Sequence, residues 1–123
     1  MVNSQPTSNI SLTPAIFHIL LALADGERHG YAIMQAVSQE TDGTMRLGPG
    51  TLYRSIRVML LHNLIAESDE RPDPELDDER RRYYRLTDQG KQVLQAEIER
   101  LRQLVRLAES KRLFGKPQME GAI

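Results

Sequence analysis

The chain contains no cysteine and no tryptophan, and its aromatic content is only 5%, from two phenylalanines and four tyrosines. Without thiols there is no disulfide framework, no thiolate zinc site and no cysteine nucleophile, a composition that fits a reducing cytosol. With so few aromatics, the core has to be built from Leu, Ile, Val and Met. Long apolar runs are also missing, and nothing approaches the roughly 20 consecutive apolar residues of a membrane-spanning helix. The opening MVNSQPTSNISL is polar and lacks the hydrophobic stretch of a secretory signal. The glycosylation-like triplet Asn9-Ile10-Ser11 is therefore read as chance, and the expected location is the cytoplasm. At 123 residues the chain is long enough for one small domain.

The sequence is as poor in catalytic arrangements as in thiols. His18, His29 and His62 are 11 and 33 residues apart, a spacing that matches no usual metal-ligand set. Gly48-Pro49-Gly50 is not followed by the Lys-Ser/Thr of a phosphate-binding loop. DPELDDE offers carboxylates but lacks the glycine and the ligand spacing of a calcium loop. No nucleophile has a visible base, so the expectation is a protein without enzymatic activity, cofactor or metal.

What is present is a segregated charge pattern. The net charge of −1 argues by itself against nucleic acid, because DNA affinity comes largely from neutralised phosphates. The distribution argues the other way. Residues 44–66 hold three arginines, Arg46, Arg54 and Arg57, and no acid. Residues 67–79, ESDERPDPELDDE, hold eight acids and one base, and residues 80–85, RRRYYR, hold four bases and no acid. Such separation marks a patterned surface. An acid-free helical stretch, GPGTLYRSIRVMLLHNLI, is what a surface facing a phosphate backbone requires.

Periodicity supplies the elements. Residues 1–11 read as a loose arm. Ser11 or Thr13 can cap a first helix with Pro14 in its first turn, and Ile16, Ile19, Leu20 and Leu23 recur at helical spacing before Asp25-Gly26. A second helix runs from His29 or Gly30 to Glu40, and TDGT breaks the chain after it. The third enters through Gly48-Pro49-Gly50, turns Leu52, Ile56, Met59 and Leu60 to the core, and ends at His62-Asn63. At about 100° per residue, Tyr53, Arg54 and Arg57 fall on its opposite side. LIAES (64–68) and RRYYRLT (81–87) are strand-like and flank the acidic loop, as in a hairpin with an extended tip. From Thr87-Asp88 a long helix continues to about Leu113. Leu94, Ile98, Leu101, Val105 and Ala108 repeat in heptad rhythm along it, and Leu104 and Leu107 widen the stripe. A three-helix domain cannot bury a stripe of that length, so a partner is expected.

HGYAI (29–33), GTLYRSIRVM (50–59), NLI (63–65) and RRYYRLTDQGKQVL (81–94) together resemble the PadR family of bacterial transcriptional regulators, over residues 12 to 113. The single C-terminal helix is similar to the compact branch of that family. The resemblance implies a mainly α, α+β fold, a winged helix-turn-helix with a long C-terminal dimerisation helix. Its parts would be a flexible arm (1–11), the DNA-binding domain (12–87), the dimerisation helix (88–114) and a disordered tail (115–123). It further implies a homodimeric repressor on an approximately palindromic operator, released by a small hydrophobic or aromatic effector, with the third helix in the major groove. The DNA-facing candidates are then His29, Tyr31, Arg46, Thr51, Tyr53, Arg54, Arg57 and Arg82. Each also has a plainer reading: Tyr31 can be core, the arginines solvated, and Arg80 and Arg81 partners of the neighbouring acids. Arg82 and Arg85 are expected to point away from those acids. The dimer seam is assigned to Leu94, Ile98, Leu101, Leu104, Val105 and Ala108, and an effector cavity to Phe17, Leu101 and Leu104. Leu61 is expected to meet the dimer arm or a ligand. The rival reading is a winged-helix protein–protein adaptor, which the acidic net charge and the apolar Leu60-Leu61 favour.

Overall fold

The structure, a computed structural model, describes residues 12–68 and 82–113. The expected N-terminal arm, the acidic loop with Arg80 and Arg81, and the tail lie outside these residues.

Helix α1 spans Pro14–Leu23, and the Thr13 hydroxyl caps it by accepting from the Ile16 N–H at 3.1 Å. A two-residue strand β1, Arg28–His29, leads directly into α2, Gly30–Glu40. The break after α2 is tied by Thr41, whose Oγ1 donates to the Val37 carbonyl at 2.8 Å and accepts from the Met45 N–H at 3.1 Å. Asp42 and Gly43 take the left-handed backbone there, at φ 52° and 78°. Helix α3 spans Pro49–Leu61, strand β2 Ile65–Glu67, strand β3 Tyr83–Leu86 and helix α4 Asp88–Ser110.

The three strands form an antiparallel sheet in the order β1-β3-β2, with Arg28 opposite Tyr84 and Ile65 opposite Leu86. Strands β2 and β3 lie within the expected segments 64–68 and 81–87, of which residue 81 falls outside the described residues, and main-chain bonds from Ser68 to Tyr83 and from Thr87 to Leu64 continue their pairing; β1 is additional. A two-residue strand has no alternation to detect, so only the partner strand defines it.

The core is aliphatic, as the composition requires. Ile19 and Leu20 of α1, Ile33 and Val37 of α2, and Leu52, Ile56 and Met59 of α3 are buried together with Leu64 and Tyr84. Helix α4 joins this core only through Gly90, Val93 and Leu94 in its first two turns. Ile98 packs at its margin, and after Leu94 no residue of α4 is buried. At 1.5 Å per residue, α4 is about 35 Å long, so more than half of it extends beyond what its own protomer covers. Among the described residues no helix is long and apolar enough to cross a membrane.

Candidate nucleic-acid interface

Helix α3 is entered without a side-chain cap, because Gly48 occupies the N-cap position and Pro49 the first turn. Proline has no N–H to satisfy, and the Leu52 N–H bonds the Gly48 carbonyl at 3.0 Å. Helix geometry then leaves the Gly50 and Thr51 N–H groups without intrahelical acceptors, with the positive end of the helix behind them. Thr51, Arg54, Val58 and Leu61 are exposed and follow at spacings of 3, 4 and 3, so they share one outward face, with Arg57 exposed beside them. The expected stripe of Leu52, Ile56 and Met59 is buried opposite, and Leu60 is half-buried. Arg46, on the segment leading into α3, is exposed as well.

Tyr53 departs from the sequence reading. Its hydroxyl is buried, and the phenol lies on Gly30 at the start of α2, so closely that a Cβ at residue 30 would stand 2.5 Å from Oη. One step around the helix from Leu52, Tyr53 sits at the margin between the faces, and the gap left by the missing Gly30 side chain draws its ring inward. Tyr53 therefore fixes where α3 lies against α2 and does not face outward.

His29 is the N-cap of α2: its Nδ1 accepts from the Ala32 N–H at 3.1 Å, which places the ring proton on Nε2. Its ring meets Tyr83 edge-on, with centroids 5.4 Å apart. His29 is thus held by α2 on one side and β3 on the other. Tyr31, two residues on, is 57% exposed, which removes the core reading for its side chain.

Arg82, expected to point away from Asp77, Asp78 and Glu79, has an acid of another strand as its neighbour. It pairs with Glu67 across the sheet, with Nη1 and Oε2 3.4 Å apart. The register sets Glu67 opposite Tyr84, so Arg82 lies on the diagonal from Glu67 within reach of it. Arg85, in contrast, is exposed.

Leu94, expected in the dimer seam, is 4% exposed and belongs to the protomer's own core. The exposed part of the predicted seam begins later, with Leu104 at 46% and Val105 at 56%, while Leu101 and Ala108 are half-buried. Leu61 is 76% exposed in the single chain. Of the effector candidates, Phe17 on α1 is half-buried and packs edge-on against His18. An open cavity of about 250 Å³ lies elsewhere, bounded by Leu23, Asp25, Glu27, Arg85, Leu86 and Lys91. It includes none of Phe17, Leu101 and Leu104.

The order of α2, a turn, α3 and the paired strands β2 and β3 recurs in known proteins. Residues 19–96 match the Transcriptional regulator PadR-like family. The chain belongs to this family. PadR-like proteins are transcriptional regulators rather than enzymes. The fold recurs in a transcriptional regulator from Clostridium thermocellum, with a TM-score of 0.66 and 23% identity over 80% of this chain and 89% of that one. It recurs too in Bacillus subtilis PadR, solved in complex with operator DNA, with a TM-score of 0.61 and 23% identity over 72% of this chain and 48% of that one. In sequence the chain is 35% identical over 86 residues to an uncharacterized 37.1 kDa protein in transposon TN4556 of Streptomyces fradiae. That match covers 70% of this chain and 22% of the Streptomyces protein, so this PadR-like chain spans about a fifth of that relative's length.

Proposed function

We propose that this PadR-like chain is a sequence-specific DNA-binding repressor that acts as a homodimer. The observation that carries the reading is the outward face of α3: Thr51, Arg54 and Arg57 are exposed on a helix that holds no carboxylate. Arginine suits bidentate contact with guanine in the major groove, and Thr51 with the first-turn N–H groups suits phosphate. Arg46 before α3 and Tyr31 at the start of α2 extend the same surface. The exposed Leu104 and Val105, with Leu101 and Ala108, form the seam on which a second copy of α4 would lie. Two-fold pairing then calls for an approximately palindromic operator with half-sites about one helical turn apart. A small apolar effector, held near Phe17, Leu101 and Leu104 where the copies meet, would release the operator by binding the DNA-free arrangement more tightly.

The adaptor reading has one observation in its favour, the apolar pair Val58 and Leu61 exposed on α3. Salt separates the two readings. In a mobility-shift titration on the promoter upstream of its own gene, the wild type is expected to bind with an affinity that falls steeply with salt. Arg54→Ala/Arg57→Ala is expected to lose that binding and, for each phosphate contact removed, about 0.9 of the log–log salt slope. Absence of binding to any duplex at low salt would leave the adaptor reading standing.

A further inference from the structure

The exit of α3 and the entry of α4 are distant in sequence but fastened together at three consecutive main-chain carbonyls. The His62 carbonyl accepts from Gln89 Nε2 at 3.0 Å, and the Asn63 carbonyl accepts the single hydroxyl proton of Thr87, with Oγ1 2.6 Å away. The Leu64 carbonyl accepts from the Thr87 N–H at 3.1 Å and lies 3.0 Å from Thr87 Oγ1, within reach of the same hydroxyl. Thr87 Oγ1 in turn accepts from the Gly90 N–H at 2.9 Å and so caps α4. Asn63 holds the left-handed backbone, φ 60°, that turns these carbonyls toward α4. Gly90 completes the joint, since a Cβ at that position would overlap the Leu64 carbonyl oxygen.

We infer that this clasp makes α3 and α4 a single lever, and that Thr87, Gln89 and Gly90 are positioning residues setting the distance between the two recognition helices of a dimer. The inference rests on the dimeric DNA-binding reading above. Three successive carbonyls at the exit of α3 are each bonded to the first residues of α4, so a tilt of α4 at the dimer seam carries the end of α3 with it. None of the three residues belongs to the outward face of α3, so they act on DNA only through its placement. A methyl group at residue 90 forces a separation of about 1 Å or more at the joint before ordinary contact distance is restored. The two-fold doubles that shift, to at least about 2 Å against a rise of about 3.4 Å per base pair. The consequence is a displacement of more than half a base-pair step, enough to move the preferred half-site spacing to the next integer or to leave it between two.

The test uses full-length protein and palindromic duplexes selected by the wild-type dimer from a random-sequence pool, with the centre lengthened or shortened one base pair at a time. Wild type and Thr87→Ser, which keeps the hydroxyl, should share one sharp optimum, with binding about tenfold weaker one base pair to either side. Gly90→Ala should move the optimum by one base pair or flatten the profile to within about threefold. Gln89→Ala, which removes one side-chain hydrogen bond and adds no bulk, should flatten it to a lesser degree and carries the test if Gly90→Ala does not fold. The idea is overturned if variants that sediment as folded dimers lose affinity equally at every spacing, with the optimum unmoved. A wild type that is monomeric, or that binds no DNA, would instead remove the underlying dimeric-repressor reading, and this inference with it.

Discussion

Replacing Gly30 with alanine is a sharp test of how α3 is seated. The added methyl would stand 2.5 Å from Tyr53 Oη, 3.1 Å from Cζ and 3.2 Å from Cε1. The hydroxyl is buried and the ring lies on Gly30, so the clash is relieved by turning the phenol out of its seat or by moving α3 away from α2. Overpacking of this kind costs about 1–3 kcal/mol. The better helix propensity of alanine offsets up to about 1 kcal/mol of that. A net loss of about 1–2 kcal/mol is expected, which for a domain of this size lowers Tm by about 5–10 °C. Tyr53→Phe removes the nearest atom and leaves contacts at 3.1 and 3.2 Å, which small adjustments can accommodate. Gly30→Ala/Tyr53→Phe should therefore be about 1 kcal/mol more stable than the sum of the single changes predicts. Urea unfolding of the four proteins measures this coupling. Additivity within about 0.5 kcal/mol, or an alanine variant as stable as wild type, would refute the account of Tyr53.

The two halves of α4 should respond differently to substitution. Leu94→Ala should destabilise the protomer by about 2–5 kcal/mol in denaturant unfolding, whereas Leu104→Asp/Val105→Asp should leave the fold intact and abolish dimers in sedimentation. Dimers that survive the double substitution would move the seam elsewhere. Thr13→Ala should cost about 1 kcal/mol through loss of the α1 cap, measured by thermal unfolding, and a change within error would mean that α1 is held by packing alone. In α4, the hydrogen bond from Arg100 and then its charge hold the Glu97 carboxyl below its ordinary value, with partial burial working against them. A depressed carboxyl stabilises the fold above its unfolded pKa and loses that contribution as pH falls through the folded value. Glu97→Gln should therefore flatten the stability profile slightly, from about pH 5 downward. An acid limb identical to that of wild type would show the pair to be inert.

The elements that the sequence made legible are those whose signals are local. The Leu52, Ile56 and Met59 stripe, the Thr13 cap, the start of α2 at His29-Gly30 and the left-handed Asn63 after α3 are each set by residues within one or two turns. What a linear reading did not show depends on distant neighbours. The heptad rhythm of α4 marks Leu94 as facing inward, but only the packed core shows that its own protomer covers it. The pairing of Arg82 with Glu67 follows from strand register, which the intervening acidic segment hides from a linear reading. Helical angle alone left Tyr53 outside, and the decisive fact was the missing side chain at Gly30 on another helix. The arginine face of α3 was legible because it required only the absence of acids and a known helix phase.

The sheet has a consequence of a different kind. Its order, β1-β3-β2, puts the two-residue and three-residue strands at the edges and the four-residue strand between them. Among the described residues, edges this short offer almost no unpaired ladder on which a strand from another molecule could grow. Such growth is a recognised route from an exposed sheet edge to aggregation. With that route blunted among the described residues, the exposed leucines of α4 stand on a helix, where they offer no ladder for a cross-β assembly to extend.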